Sequence, residues 1–389
     1  MSPSNVCGTE RLFKIASIPG DGIGVDITDA AIQVLQKLSE TVGHFVFEFE
    51  NIDWSSRTFK ERGHYMPEDG LEYLRKFDAI YFGAVGWPAP LRLSKAMKVL
   101  KANGEFCRID VPDHISLWGL ILPIRNALNQ YVNVRPTRVL RGINSPLKNC
   151  GTKDLNWVII RENSEGEYAG HGGTTHAHSS NTVATEVSIF TRVGIERIFR
   201  FAFETARSRS RKKLTMVTKS NAQRHGMVLW DKIFAEIMKE YPDVETDKML
   251  VDAMTVRMVL QPQSLDTIVA TNLHADILSD LAAALSGSIG IAPSSNLDPT
   301  RENPSMFEPI HGSAPDIAGK GIANPIGAFW SAAEMVRWLG FEEAADGLMT
   351  CIENVTEAGV KTKDLRGSAN TKDVTDAVCK EIENVLGSR

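Results

Sequence analysis

Two carboxylates sit one helical turn apart in the segment NLHADILSD, residues 272–280: Asp276 and Asp280. Residues at i and i+4 lie on one face of a helix. Residues 266–271 read as a buried strand, so the aspartates are expected in a helix at the carboxyl end of that strand, where α/β proteins bind ligands. Two oxygen donors there suit a hard cation such as Mg²⁺ or Mn²⁺. The alternative is a solvated acidic first turn that the helix dipole stabilises.

Three arginines lie in or beside predicted elements earlier in the chain. Arg125 belongs to a predicted helix over residues 117–130, Arg135 to the next strand, and Arg161 follows the strand 157–160. A guanidinium can bind a carboxylate through two charge-assisted hydrogen bonds, so the three together suit a dicarboxylate. Taken singly, each is more often a surface charge.

The bulk properties indicate an ordinary globular enzyme. A chain of 389 residues is expected to form two domains. The net charge of -5 argues against nucleic-acid binding, and the basic residues 207–213 read as a solvated helix end. The five cysteines are scattered, which favours a reducing compartment over disulfides or a zinc site. No membrane segment is predicted, so we expect a cytoplasmic protein, with a mitochondrial one as the alternative.

A glycine-rich turn follows the first predicted strand. Residues 14–18 run into PGDGIG, residues 19–24, and then into a helix predicted over 25–40. Such a turn can bring backbone N–H groups near a phosphate. Its spacing differs from the Rossmann fingerprint, and no acidic residue follows a second strand suitably. A Rossmann fold is therefore not predicted.

Several longer motifs carry a family resemblance. They are TKSN (218–221), VDAM (251–254), RENSEGEY (161–168) and FEPIHGSAPDIAGK (307–320). With the aspartate segment they resemble the metal-dependent β-decarboxylating dehydrogenases, which include isopropylmalate, isocitrate, D-malate and tartrate dehydrogenases. The resemblance runs from about residue 12 almost to the C-terminus. FGAVGWP (82–88), VPDHISLWG (111–119) and QYVNVRP (130–136) bring the chain closest to the D-malate/tartrate branch.

The resemblance implies a fold and an assembly. The expected fold is α/β, an isopropylmalate dehydrogenase-like two-domain fold with a sheet spanning interleaved domains. Residues 1–130 and 287–389 would form the large domain with most cofactor contacts. Residues 131–286 would form the small domain with the dimer interface and the metal ligands. A homodimer with shared active sites is implied, with no nucleic-acid or membrane partner.

The resemblance also assigns chemical roles. It makes Asp252, Asp276 and Asp280 metal ligands, with Asp252 supplied by the neighbouring subunit, and makes the three arginines the groups that hold the malate core. Tyr168 would protonate the enol left by decarboxylation, its pKa lowered by nearby cations. Lys219 would begin the relay that removes the substrate hydroxyl proton. From the residues alone, Tyr168 can equally be a core aromatic and Lys219 a solvated strand end.

The same resemblance names the cofactor contacts: Ile23, Glu308, His311, Gly312, Ser313, Ala314, Asp316 and Asn324. A carboxylate at Asp316 can bond both adenine-ribose hydroxyls and repels a 2′-phosphate, which favours NAD over NADP. Asn324 can alternatively be a helix cap. The glutamate that the family has two residues after the glycine turn is Asp26 here. Mg²⁺ or Mn²⁺ is the implied metal, and the family also allows K⁺.

Residues 114–122 narrow the range of candidate substrates but do not identify one of them. The turn WGLIL, residues 118–122, lacks the Ser-x-Asn pair with which isocitrate dehydrogenases meet a third carboxylate. Trp118 and His114 favour D-malate or tartrate, whereas Ile121 and Leu122 can line an alkyl pocket for isopropylmalate. A rival of another class is a catalytically weakened homologue that acts as a binding or regulatory subunit. Its support is His274-Ala275, where the family has Phe-Gly, and a long insertion.

That insertion covers residues 89–110, where the family needs only a few residues. Residues 94–104 have the caps and apolar spacing of a short basic amphipathic helix. Three interpretations stay open: a cationic lid near the substrate site, a neutral surface insertion, or a translated intron.

Overall fold

A computed structural model describes residues 10–87, 99–100, 106–107 and 111–387. The strands are β1 Arg11–Gly20, β2 Phe45–Asn51, β3 Ala79–Ala84, β4 Val99–Leu100, β5 Phe106–Cys107, β6 Val132–Arg138, β7 Asn156–Glu162, β8 Gly166–Thr175, β9 Val183–Ile189, β10 Lys213–Thr218, β11 Glu245–Leu250, β12 Thr267–Ala270, β13 Pro293–Leu297 and β14 Ser305–Pro309. The α-helices are α1 Ile23–Val42, α2 Ser56–Arg62, α3 Gly70–Leu74, α4 Asp113–Ser116, α5 Leu122–Ala127, α6 Arg192–Ser208, α7 Gly226–Ile237, α8 Val251–Leu260, α9 Asn272–Ser286, α10 Ile326–Trp338, α11 Glu342–Glu357 and α12 Thr371–Leu386. Short 3₁₀ turns occupy Met238–Glu240, Pro262–Ser264, Ile289–Ile291 and Lys363–Leu365.

The chain divides into two compact units. The first contains Met1–Ile124, Gly290–Pro293 and Arg301–Arg389, and the second contains Arg125–Ile289 and Ser294–Thr300. Each unit is therefore built from separate stretches of chain.

Parallel strands form the centre of the first unit, in the order β14-β3-β1-β2. Every residue of β3 is buried. α1 presents apolar residues at helical spacing to this core, including Ile27, Ala31 and Leu38, and ends at Gly43, which has a left-handed φ of 68°. The carboxyl ends of β1 and β3, on either side of the point where strand order reverses, are thus placed for ligand binding.

The second unit has strands in the order β11-β10-β12-β7-β6-β13. β11, β10, β12 and β7 are parallel, and β6 and β13 are antiparallel additions. The predicted buried strand before the aspartates is confirmed as β12, whose residues are all buried. A continuous apolar core that includes Trp157, Ile268 and Leu278 fixes α9 against this sheet.

The helix predicted over 117–130 has different limits. Helical structure runs from Asp113 to Ala127, with a π-helical stretch at Leu117–Ile121 between α4 and α5. π-helical turns widen a helix locally and occur often near functional sites. Arg125 belongs to this helix, as predicted, and lies in its last turn.

Two further predictions need correction. Val99–Leu100 and Phe106–Cys107 pair as antiparallel strands, so the helix predicted over 94–104 is wrong at its centre, and the rest of that helix lies outside the described residues. The basic cluster is also more than a solvated helix end. Arg209 forms an ion pair with the buried Asp266 at 2.6 Å, and Arg211 donates to the carbonyl oxygen of Leu265 at 2.6 Å.

Candidate active site

Asp276 is the centre of a charged cluster in the second unit. α9 begins directly after β12, so Asp276 lies in its second turn at the carboxyl edge of the parallel strands. Its carboxylate forms an ion pair with Arg161, and Arg135 lies 3.5 Å away. The Tyr168 hydroxyl is 3.4 Å from the other carboxylate oxygen. The structure therefore brings together residues that lie on four different elements.

Arg161 is buried at the end of β7, where it is 2% exposed. A buried guanidinium must be paired, and its Nε donates to Asn272 Oδ1 at 2.9 Å while Nη1 contacts Asp276. Its guanidinium carbon lies 5.4 Å from the centre of the Tyr168 ring. Asn272, the first residue of α9, thus fixes the direction of the arginine fork.

Arg135 is held by side chains on both sides. On β6, its Nε donates to Asn133 Oδ1 at 2.7 Å, and its Nη1 donates to Ser279 Oγ at 2.5 Å. Arg125 completes the group through its charge, which acts on both Asp276 and Tyr168. All three predicted arginines therefore act on one site.

Asn272, Asn133 and Ser279 are site residues that sequence reasoning missed. Asn272 and Ser279 flank Asp276 at i−4 and i+3, so both lie on the helix face that carries the aspartates. That spacing was a usable signal for these two residues. Asn133, two residues before Arg135 on β6, shares its strand face for the same kind of reason.

The two aspartates have opposite pKa shifts. Burial raises the pKa of Asp276, but the charges of Arg161, Arg135 and Arg125 and the Arg161 hydrogen bond together outweigh it, so the net pKa is lowered. Burial and the neighbouring Asp276 charge raise the pKa of Asp280. Asp280 is exposed, and repulsion between the two carboxylates is what a bound cation would relieve.

The expected lowering of the Tyr168 pKa is wrong. Burial raises the pKa of this phenol, and the Asp276 carboxylate raises it further, while Arg161 and Arg125 oppose the change with a smaller effect. The phenol therefore keeps its proton at neutral pH. This is the protonation state that a general acid needs.

Lys219 and Asp252 form a separate pair. Lys219 follows β10, Asp252 lies in the first turn of α8, and their charged groups are 2.6 Å apart. The lysine hydrogen bond lowers the pKa of Asp252. Within the part of the chain that the structure describes, no three His, Cys, Asp or Glu side chains are grouped to hold a metal ion. Asp252 is thus not gathered with Asp276 and Asp280 inside one chain.

The glycine turn of the first unit serves backbone packing. A Cβ at Gly20 would collide with the carbonyl oxygen of Ala84, and one at Gly22 with that of Ser313. Both glycines also have positive φ, 71° and 60°. The turn is tied to the Ser313 loop by the Ile23 N–H, which donates to the Ser313 carbonyl at 2.8 Å. Two predicted cofactor segments are therefore in direct contact.

Asp21, between these glycines, connects the turn after β1 to the start of α2 and to the segment after β3. Its buried carboxylate accepts from the Ser56 N–H at 2.8 Å, the Ser56 hydroxyl at 2.5 Å and the Gly86 N–H at 2.9 Å. Burial raises its pKa. A cleft of about 500 Å³ opens here, lined by Pro19, Asp21, Asn51, Asp53 and Trp87 among others.

The predicted cofactor residues of the first unit differ in their surroundings. His311 is buried, its Nδ1 lies 3.0 Å from the Gly312 carbonyl oxygen, and its Nε2 has no partner among the described residues. Burial lowers its pKa, so the ring is neutral. Asp316 is exposed on the loop after β14, and open space lies over Gly312.

Two other predicted cofactor residues, Ser313 and Asn324, form hydrogen bonds within the protein. Ser313 donates its hydroxyl to the Gly86 carbonyl oxygen. Asn324 donates to Asp364 at 2.9 Å and accepts from the N–H of Ile326, the first residue of α10, at 3.0 Å. Glu308 is buried on β14. Ala314 adopts a left-handed φ of 37°, which shapes the loop.

The second unit thus groups a carboxylate, arginines and a phenol at the carboxyl edge of its parallel strands. The chain matches the isocitrate/isopropylmalate dehydrogenase family over residues 14–378, and it belongs to that family. It is accordingly an oxidoreductase acting on a CH–OH group, with the isopropylmalate dehydrogenase-like fold that the sequence predicted.

Similar proteins place the chain more narrowly within that family. A probable tartrate dehydrogenase/decarboxylase of Agrobacterium vitis is 61% identical over 97% of this chain and 100% of the relative. The D-malate dehydrogenase (decarboxylating) of Escherichia coli is 45% identical over 96% of this chain and 99% of the relative. The crystal structure of isocitrate dehydrogenase from Methylococcus capsulatus is similar with a TM-score of 0.79, at 34% identity over 95% and 99% of the two chains. The predicted resemblance to the D-malate/tartrate branch is confirmed.

One further property concerns membranes. Among the helices that the structure describes, none is long and apolar enough to span a bilayer.

Proposed function

We propose that this protein oxidises and decarboxylates a 2-hydroxy dicarboxylate such as D-malate or tartrate, using NAD and Mg²⁺ or Mn²⁺. The observation that carries the proposal is the Asp276 cluster, in which three guanidinium groups act on one carboxylate beside a neutral phenol. Three positive charges against two aspartates leave a site that attracts a dianion. The names of the relatives support the same reaction class.

The chain's own groups divide the chemistry. Arg125, Arg135 and Arg161 hold the two substrate carboxylates and orient the C2–H bond. Lys219 receives the proton of the C2 hydroxyl as the carbonyl forms. The bond between C3 and the β-carboxylate then breaks, its electron pair stays on the substrate as carbon dioxide leaves, and the resulting enolate takes a proton at C3 from Tyr168 to give the ketone.

The residues fit a divalent cation. Asp276 and Asp280 offer carboxylate oxygen atoms one helical turn apart, and the Asp276 side chain is 40% exposed, so a cation can reach it. A cation bound between the two carboxylates would also reduce the repulsion between their charges. Asp252 would complete the ligand set. When bound, the metal would act as a Lewis acid toward the substrate oxygens, and NAD would accept hydride from C2.

A second copy of the chain is proposed to bring Asp252 and Lys219 to the site. Inside one chain these two residues pair with each other, at 2.6 Å. Residues 171–188 of the β8–β9 ribbon are exposed throughout, including Val183 and Val187, and an isolated two-stranded ribbon is marginal in water. In a twofold dimer, the partner subunit would cover this exposed ribbon, and each subunit would supply its Lys219 and Asp252 to the Asp276 site of the other.

Sharing of sites predicts complementation between inactive variants. Asp276→Asn and Asp252→Asn are each expected to be inactive, but dissociated and reassociated in equal amounts they should recover about a quarter of the wild-type activity, because half of the dimers then hold one intact site. Turnover and dimer content are measured together. A site complete within one chain would instead leave every mixed dimer inactive.

NAD fits the first unit on two observations. With Nδ1 donating to Gly312, the buried Nε2 of His311 is an acceptor without a partner in the described residues, and the adenine amino group is a donor. The exposed Asp316 carboxylate suits ribose hydroxyls and opposes a 2′-phosphate.

Replacing Asp316 tests the cofactor choice. Wild type should strongly prefer NAD, and Asp316→Lys should narrow the preference over NADP by roughly tenfold, because a repulsion worth about 1.4 kcal/mol becomes an attraction. The ratio of kcat/KM for the two cofactors is the measurement. Glu343→Lys, the same charge change on α11, is the control and should leave that ratio unchanged. Equal use of both cofactors by wild type would contradict the assignment.

Isopropylmalate is the second candidate substrate. Leu122, one of the two residues that suggested an alkyl pocket, is 2% exposed and packs in the core, whereas Trp118 is 44% exposed. This favours the smaller substrates. Steady-state rates with D-malate, tartrate and isopropylmalate, each with and without Mn²⁺, decide between them. A preference for isopropylmalate would overturn the proposal, and no activity on any of the three would favour the regulatory-subunit alternative.

A further inference from the structure

The strand end that carries Arg161 also carries a buried carboxylate that the chemistry above does not use. Glu162 is the last residue of β7 and is 2% exposed. Successive strand residues point to opposite faces, so Glu162 lies on the other side of β7 from the guanidinium of Arg161. It is therefore beneath the substrate site.

Glu162 binds the turn that follows its own strand. Its two oxygens accept from the Ser164 N–H at 3.0 and 3.1 Å, from the Ser164 hydroxyl at 2.5 Å and from the Glu165 N–H at 2.7 Å. An ionised carboxylate is an acceptor only, so this set of donors matches it. Burial raises the pKa of Glu162, and these hydrogen bonds oppose that rise.

Arg197 compensates the buried charge. From α6, its Nη2 donates to Ser164 Oγ at 2.6 Å and lies 3.9 Å from Glu162. The same guanidinium is stacked 4.1 Å over the ring of Tyr131. Ser164 Oγ thus joins the carboxylate to the arginine, and the turn is fixed to both α6 and the start of β6.

The turn is connected to the substrate arginine by one amide. The Glu165 carbonyl accepts from Asn272 Nδ2 at 3.3 Å, and Asn272 Oδ1 accepts from Arg161 Nε at 2.9 Å. The turn then leads into β8, which carries Tyr168. Hydrogen bonds therefore connect the Glu162 carboxylate, through the turn and Asn272, to Arg161, and the same turn leads directly into the strand that carries Tyr168.

We propose that Glu162 is the positioning residue of the site, because its hydrogen bonds to Ser164 and Glu165 hold Arg161 and Tyr168 in their mutual geometry. The inference rests on the proposed function in that Arg161 binds a substrate carboxylate and Tyr168 donates the proton. Glu162 itself touches neither substrate nor cofactor.

Glu162→Gln is the test variant. A carboxamide places an NH₂ among N–H donors, so at least one hydrogen bond of the turn is lost. We expect kcat/KM for the dicarboxylate to fall by roughly ten- to a hundredfold, with a higher KM for the dicarboxylate and an unchanged KM for NAD, because displacement of about 1 Å costs that much. Glu162→Asp, which keeps the acceptors, should recover part of the loss.

Asp266→Asn is the matched control. Asp266 is also a buried carboxylate of the second unit, paired with Arg209 at 2.6 Å at the start of β12. Its loss should lower Tm and reduce the folded fraction, which lowers apparent kcat but moves no KM. If Glu162→Gln behaved like Asp266→Asn, or kept every kinetic constant within twofold, the positioning role would be overturned.

A second readout separates this inference from the proposed function. The Arg161 Nε–H resonance in a ¹⁵N spectrum, assigned with Arg161→Lys, should shift in Glu162→Gln and stay in place in Asp266→Asn. This holds even if wild type oxidises no dicarboxylate, an outcome that would reject only the function. If wild type is active but the Arg161 resonance is unchanged in Glu162→Gln, only the positioning role of Glu162 is rejected.

Discussion

Asp276→Asn is expected to lower turnover by about three orders of magnitude, since several kcal/mol of transition-state stabilisation is lost and about 1.4 kcal/mol corresponds to each factor of ten. The variant loses the proposed metal ligand and the charged partner of Arg161 and Arg135. Turnover at saturating substrate and increasing Mn²⁺ is the measurement, because a lost ligand weakens metal binding and the deficit shrinks only at high metal concentration.

Asp247→Asn is the control for that experiment. Asp247 is another partly exposed aspartate of the same unit, paired with Arg257 at 2.6 Å. Both variants should retain the circular dichroism of the folded protein, and Asp247→Asn should retain activity. Wild-type activity of Asp276→Asn at unchanged metal concentration would show that the metal assignment is wrong.

Lys219→Met and Tyr168→Phe should fail at different steps. Without Lys219 the hydroxyl proton has no acceptor, so hydride transfer should be abolished. Tyr168→Phe should retain decarboxylation of oxaloacetate and lose the later protonation, because phenylalanine lacks the hydroxyl proton that Tyr168 would supply to C3. Single-turnover NAD reduction and oxaloacetate decarboxylation are measured for both.

The comparison between the two variants contains its own control. Each should keep the fold and the oligomeric state of wild type, and each should bind the dicarboxylate, since Arg125, Arg135 and Arg161 are untouched. If both variants lost the same partial reactions to the same extent, Lys219 and Tyr168 would not have distinct roles.

Local patterns were sufficient for the framework of the site. The apolar run before α9 predicted β12, and the spacing of Asp276 and Asp280 predicted one helix face, because both signals depend only on neighbours in sequence. The motifs gave Arg161 and Tyr168, which the structure places beside Asp276.

The remaining features depend on residues far apart in the chain. Lys219 pairs with Asp252, and Asn272 joins Arg161 to the turn after β7, and neither contact has a local signature. The Tyr168 pKa was predicted in the wrong direction because burial, which a sequence does not display, exceeds the effect of the arginines. The glycine turn suggested a phosphate contact, yet backbone carbonyl groups occupy the space in which a side chain at Gly20 or Gly22 would lie.

We propose that one site of this protein couples metal-dependent oxidation to decarboxylation. The most direct test is parallel measurement of NADH and carbon dioxide from wild type supplied with D-malate, NAD and Mn²⁺. We expect both products to form in equal amounts, EDTA to abolish the formation of both, and added Mn²⁺ to restore it. NADH formed without carbon dioxide, or turnover that persists in EDTA, would contradict the proposal.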